Sequence, residues 1–299
     1  MNSLSETDSG ANPFETPQPR RIRLTQGVLR VVVTLQCLGM ATSRLHLHHA
    51  DQFCEFLLQS RNVPAAQIAS LSDLVAYGLV IGGVLTLLRP ITLVLLLIAA
   101  YHGGTILATS VAETPFVHLD AAAQATQVIT PVALLLVDFW PPRVKPTLVM
   151  CLAATTLLKF AIAISFIALG CLCLEQARLG GPLLEMMQEA VRKSGRELLA
   201  RDAAHSLLIP LGVVEIGMAI ALLTSRSRAA MAGCSLVGLL AAFLPTLGAG
   251  MNGYPESLRM VSLAGGPVAI LIFHLTSVRE QPPIYLPERR SAMRKPVIH

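Results

Sequence analysis

Lys159 stands inside the apolar run TTLLKFAIAISFIALG, residues 155–170, with no acid within a helical turn on either side. Glu215 stands inside a second apolar run, SLLIPLGVVEIGMAIALLT, residues 206–224. A charge in the middle of a bilayer costs about 3 kcal/mol on insertion scales. Two opposite charges at similar depth on consecutive helices point to a pair. Lys159 falls about 12 residues, roughly 18 Å at 1.5 Å per residue, inside its span. Glu215 falls about 10 residues, roughly 15 Å, inside its own. The expectation is therefore a Lys159–Glu215 ion pair near the midplane. In a working site Glu215 would carry a proton or bind a cation, and Lys159 would hold an anionic or carbonyl group. Two other readings stand beside it. The pair could fix helix register alone, because a buried ion pair says little about stability. Alternatively Lys159 extends its stem towards the interface and never meets Glu215.

Other polar groups sit in apolar surroundings. Tyr101 and His102 lie in AAYHGG, residues 99–104. An intramembrane histidine is a functional candidate that could bond a quinone carbonyl, ligate haem or relay protons. It could equally bond a neighbouring helix. Gly103 and Gly104 would let a helix or a ligand come close. RLHLHHADQFCEF, residues 44–56, gathers His46, His48, His49 and Asp51. Their spacing permits metal or haem binding but follows no strict pattern, so an interfacial polar cluster explains it as well. Cys171 and Cys173 with Cys54 are candidate redox thiols, although C-x-C in a helix turns the two thiols to different faces. Small buried cysteines are the plainer reading. No Walker A, G-x-S-x-G, H-E-x-x-H, C-x-x-C or C-x-x-C-H motif occurs.

These residues need long helices to position them. The 299 residues are 53% hydrophobic and 14% charged, with mean hydropathy +0.61. A soluble domain carries about 25% charged residues, so this is membrane-protein composition. The net charge of +5 does not indicate nucleic acid, because membrane proteins collect Lys and Arg on their cytoplasmic side. At about 20 apolar residues per crossing, eight spans are expected, near 26–45, 72–88, 91–110, 124–140, 147–174, 206–224, 229–248 and 260–277. The second is short and would need tilt or local thinning. Arg89-Pro90, WPPRVKP at 140–146 and SRSR at 225–228 break the runs. Pro cannot continue a helix. These basic breaks, with Arg20, Arg21, Arg23 and a basic C-terminal tail, place both termini in the cytoplasm. Residues 46–71 and 175–205 then form long outer loops. Leu183, Leu184, Met187, Val191 and Leu198 recur at helical spacing, so the second loop reads as an amphipathic helix on the outer leaflet or capping the bundle. Residues 1–25 and 280–299 read as polar tails, and the first twenty residues lack the apolar region of a cleavable signal.

The chain repeats itself. TPVALLLVDFW at 130–140 matches GPVAILIFHLT at 266–276, an offset of 136. IGGVLTLLR at 81–89 resembles IGMAIALLT at 216–224, and VLRVVVTL at 28–35 resembles LLKFAIAI at 157–164, offsets of 135 and 129. Repeats of four spans at 26–142 and 143–279 would share one orientation, related by a pseudo-two-fold along the membrane normal. Arg30 is then the counterpart of Lys159, with Val80 where the second repeat has Glu215. Asp138, the counterpart of His274, could meet Arg30. Both are expected near the interface.

FCEFLLQSRNVPAAQIASLSDLVAYGLVIGGVLTLLRP, residues 53–90, and VVEIGMAIALLTSRSRAAM, residues 213–231, resemble the DoxX family of four-span membrane proteins. Glu215 matches the family's Glu ahead of the Gly in the second span; Val80 departs from it. The resemblance covers nearly the whole membrane part, twice. It implies a link to the small subunit of thiosulfate:quinone oxidoreductase and to redox maturation. The expectation is an all-α polytopic bundle of a bacterial inner membrane, in contact with lipids and not nucleic acid. It would act in redox metabolism as an accessory subunit of a membrane oxidoreductase, with quinone or haem as candidate cofactor. The alternatives are a small-molecule or ion permease and a non-catalytic assembly factor. The candidate site comprises Lys159, Glu215, Tyr101, His102 and Arg30.

Overall fold

The computed structural model describes residues 19–48, 52–59, 63–112, 115–138, 147–193, 200–225 and 227–278. They form twelve α-helices: α1 (Pro19–Leu45), α2 (Gln52–Gln59), α3 (Ala65–Leu88), α4 (Thr92–Ser110), α5 (Val117–Ala123), α6 (Ala125–Val137), α7 (Leu148–Leu179), α8 (Pro182–Lys193), α9 (Ala200–Thr224), α10 (Arg228–Ala249), α11 (Tyr254–Arg259) and α12 (Ser262–Val278). Seven helical segments are long and apolar enough to cross a membrane. The eighth expected span is α12, shorter at 17 residues. The chain is a multi-pass membrane protein of all-α class.

The sequence breaks end the helices for identifiable reasons. Arg89 turns extended at the end of α3, and Pro90 follows. Thr147 caps α7 by accepting from Met150 N at 3.3 Å, and Ser227 caps α10 by accepting from Ala229 N at 3.2 Å. Gly180 closes α7 with φ +85°, a conformation that favours glycine. The second span is not short, because α3 starts directly after Pro64 and runs 24 residues. That removes the need for local thinning.

Helices α1, α6, α7 and α12 form the middle of the bundle. Gly39 of α1 meets Pro255 and Leu258, whereas Val32 meets Gly265. Thus α1 and α12 run antiparallel, and the start of α1 and the end of α12 share one end of the bundle. We call this the terminal end and its opposite the loop end. Exchanging α1 with α7, α2 with α8, and so on to α6 with α12, maps each major helix pairing onto another. The pairing of α1 with α3 maps to α7 with α9, α4 with α6 to α10 with α12, and α1 with α12 to α7 with α6. Ser262 Oγ lies 3.1 Å from Thr126 Oγ1, and these residues stand 136 apart. Under that offset each is the other's counterpart. A pseudo-two-fold axis exchanging the halves would pass between two such residues.

The amphipathic segment after α7 forms α8, which caps the bundle. Leu184 packs with Cys173, Ala177, Ala204 and Leu208. Leu183 N donates to Gln176 Oε1 at 2.7 Å, and Lys193 Nζ donates to Gly248 O at 2.5 Å, at the carbonyl end of α10. Leu198 lies outside the described residues.

Candidate functional site

The structure separates Lys159 from Glu215. Glu215 is 1% exposed, and its Oε2 accepts from Cys173 Sγ at 3.6 Å. Cys173 lies fourteen residues beyond Lys159 on α7, about 21 Å along the axis. Helices α7 and α9 cross where Gly170 meets Gly212 and Ile216. Continuing that antiparallel register puts Lys159 opposite the last turn of α9, which ends at Thr224. The depth estimate failed because α7, at 32 residues, overhangs α9 at the terminal end. Equal distances from two helix starts are not equal depths. Lys159 is partly exposed and has no ion pair or hydrogen bond among the described residues.

Its counterpart Arg30 is paired. Arg30 Nε donates to Asp138 Oδ2 at 2.7 Å, and Nη2 lies 2.5 Å from the same oxygen. Gln26 Nε2 donates to Val137 O at 2.8 Å beside it. These contacts fasten the terminal end of α1 to that of α6.

Tyr101 stacks edge-on against Phe53 of α2, ring centroids 5.9 Å apart, and against His102 at 5.8 Å. A Cβ at Gly104 would collide with the Phe53 ring, so this glycine admits the short loop helix rather than a ligand. His102 is 1% exposed, and neither ring nitrogen has a hydrogen-bond partner among the described residues. His46 lies against the Tyr254 ring, and His48 is exposed with φ +55°. His49 and Asp51 lie outside the described residues. No group of three His, Cys, Asp or Glu that could hold a metal occurs among the described residues. Cys173 is buried and Cys171 partly exposed, as C-x-C on a helix requires. Cys54 is buried on α2.

None of the residues singled out as the candidate site lines the cleft at the loop end. At the loop end a cleft of about 820 Å³ lies between the first half, through α2 and α4 to α6, and the second half, through α7, α8, α11 and α12. Its charged lining is Glu55, Asp120 and Arg259, its amides Gln52, Gln124, Gln127 and Gln176, and its apolar surfaces include Phe116, Leu172 and Met260. Thr126 also lines it, so the cleft reaches the axis contact with Ser262. Arg259 is held by Glu256 one turn earlier, Nε at 3.1 Å and Nη2 at 2.5 Å from Oε1. Gln124 Nε2 donates to Thr109 Oγ1 at 3.3 Å, while Thr109 itself donates to Thr105 O at 2.9 Å. Gln124 Oε1 and Gln127 Oε1 are buried without a hydrogen-bond partner among the described residues.

The offset of 136 supplies a control for this polarity. It sets Thr109 against Pro245, Gln124 against Met260, Gln127 against Leu263 and His102 against Gly238. One half packs these positions with apolar residues or glycine; the other places hydrogen-bonding groups there. Gly238 shows what packing alone asks for, since a Cβ there would strike the carbonyl of Leu263. Sequence inspection passed over Gln124 and Gln127 because amides in an apolar run look ordinary. Comparing the two halves position by position would have exposed them.

A quinone fits this lining, with the Arg259 guanidinium as a donor and Phe116 and Met260 as apolar faces. Haem does not, because no His or Cys lines the cleft among the described residues and His102 is enclosed between helices. Comparison with known proteins gives no match to any family model, curated protein or solved structure.

Proposed function

We propose that this chain is a bacterial inner-membrane protein of two DoxX-like four-helix repeats, with both termini cytoplasmic, that binds a small molecule in the loop-end cleft as a permease. What carries this reading is the one-sided polarity of the cleft. Thr109, Gln124 and Gln127 present hydrogen-bonding groups where the other half has Pro245, Met260 and Leu263. Transporters built from repeats place their substrate sites at the repeat interface. A volume of about 820 Å³ suits a metabolite-sized ligand. Substrate enters from the loop side and rests above the Thr126–Ser262 contact, which closes the path on the axis.

The test is uptake into proteoliposomes, scored for wild type and for the double variant Gln124→Met, Gln127→Leu. These replacements are the residues of the other half, so the helices already tolerate them at equivalent places. Uptake at least tenfold lower in the variant is expected; equal uptake overturns the reading.

A second reading, a redox-related quinone site serving a membrane oxidoreductase, is favoured by the apolar Phe116 and Met260 faces and the Arg259 guanidinium of the same cleft. A near-UV spectrum of protein purified with its lipids tests it. A quinone band that is lost in Phe116→Ala supports this reading, and its absence from wild type removes it.

A further inference from the structure

This inference rests on the reading of the cleft as a small-molecule site and names the class of molecule. Its unsatisfied groups are acceptors. The Thr109 hydroxyl donates to the Thr105 carbonyl at 2.9 Å, with Gln52 Oε1 at 3.4 Å as its other acceptor, so towards Gln124 it accepts. This fixes the amide, and Gln124 Oε1 must be the free end. Gln127 Oε1 is free as well. Gln124 and Gln127 are 8% and 4% exposed, so both oxygens look for a donor inside the protein.

The charges have the same sense. Asp120 and Glu55 line the cleft, and neither forms an ion pair or hydrogen bond among the described residues. Arg259 lies within electrostatic reach of Asp120 but is bound by Glu256. The second half therefore neutralises its own acid: Glu256 has Arg259 three residues on. Asp120, its counterpart at offset 136, has Ala123 there. A half-buried acid whose neighbouring cation, Arg259, is already paired with Glu256, beside two donor-seeking amides, is an arrangement for a positive, N–H-bearing guest.

We propose that the cleft binds a small organic ammonium ion carrying N–H donors, with Asp120 as counter-charge and the Gln124 and Gln127 oxygens as hydrogen-bond acceptors. Phe116, Leu172 and Met260 cover its apolar part.

Calorimetric titration of the full chain in lipid nanodiscs tests this with four probes: benzylammonium, benzyltrimethylammonium, benzoate and a decyl-substituted benzoquinone. Saturable binding of benzylammonium is expected. It should weaken at least tenfold for the trimethylated probe, which has no N–H, and at least tenfold in Asp120→Asn. Gln124→Met should weaken it about fivefold, whereas Asp202→Asn, outside the cleft, should not change it. Each variant is first checked for monodisperse elution. If Asp120→Asn does not fold, loss of binding in Glu55→Gln together with Gln124→Met replaces it. Benzoate or benzoquinone binding that Gln124→Met abolishes, with no benzylammonium binding, overturns the ammonium assignment and leaves the site itself standing. Equal binding of the trimethylated probe also overturns it. If no probe binds wild type, both the assignment and the small-molecule reading fall.

Discussion

Residues 19–137 and 148–278 carry the same order of helices in the same pairings, yet they treat polar groups differently. At the terminal end the first half pairs Arg30 with Asp138, while the second holds Lys159 without an acidic partner among the described residues. At the loop end the first half leaves Asp120 without an ion pair and the buried Gln124 and Gln127 oxygens without donors among the described residues, while the second ties Glu256 to Arg259 and packs Met260 and Leu263. Shared architecture thus constrains the backbone path and leaves the hydrogen-bonding inventory free. Where one half does without a polar group, packing is not the reason the other half has it.

Four experiments probe that contrast. The largest effect belongs to the glycines that set backbone approach. A Cβ at position 170 would lie 2.6 Å from Gly212 O, so Gly170→Ala should cost about 1–3 kcal/mol in a reversible unfolding titration. The equivalent change in the first half is already present: at the 129 offset Gly170 corresponds to Ala41, which is fully buried. Ala41→Gly should therefore cost less.

Next is the terminal ion pair. Asp138→Asn strands a partly buried guanidinium and should lose about 1–2 kcal/mol, less than a fully buried pair because Arg30 keeps some solvent. Lys159→Met in the other half should shift stability by no more than about 0.5 kcal/mol. A loss near that of Asp138→Asn would mean Lys159 has a partner that the described residues do not include.

The cleft amides give an effect of opposite sign. Gln124→Met removes a buried oxygen that has no donor, so the empty protein should become more stable by about 1 kcal/mol while ligand binding falls. A variant that loses both stability and binding would place Gln124 in packing rather than in ligand recognition. The smallest effect is on the axis. Ser262→Ala removes one hydroxyl contact and should cost about 0.5–1 kcal/mol, with the Thr126–Ser165 contact, 3.2 Å, left intact.

Much of the scaffold was legible because it rests on local chemistry. The Arg89-Pro90 and serine-arginine breaks separate helices through backbone rules that act within a few residues. The amphipathic stripe of α8 reads directly as a packing face, and Asp138 was reachable from Arg30 once the halves were aligned. The Lys159–Glu215 pairing failed because it depended on the relative shift of two long helices. That shift is set by where Gly170 meets Gly212, which no hydrophobicity pattern encodes. The cleft was not legible for a different reason. Its lining comes from segments as far apart as Gln52 and Leu263, and threonines and glutamines carry no motif. Their meaning shows only against the residues that replace them in the other half.

The Thr126–Ser262 contact has a further consequence. In a dimer of identical chains, a group on the axis would face its own copy, and any change would appear twice. Both clefts beside the axis would also have to change together. One polypeptide with two like halves escapes that restriction. It can devote one flank to a guest and the other to cohesion, and can set a serine against a threonine where symmetry would demand a matched pair.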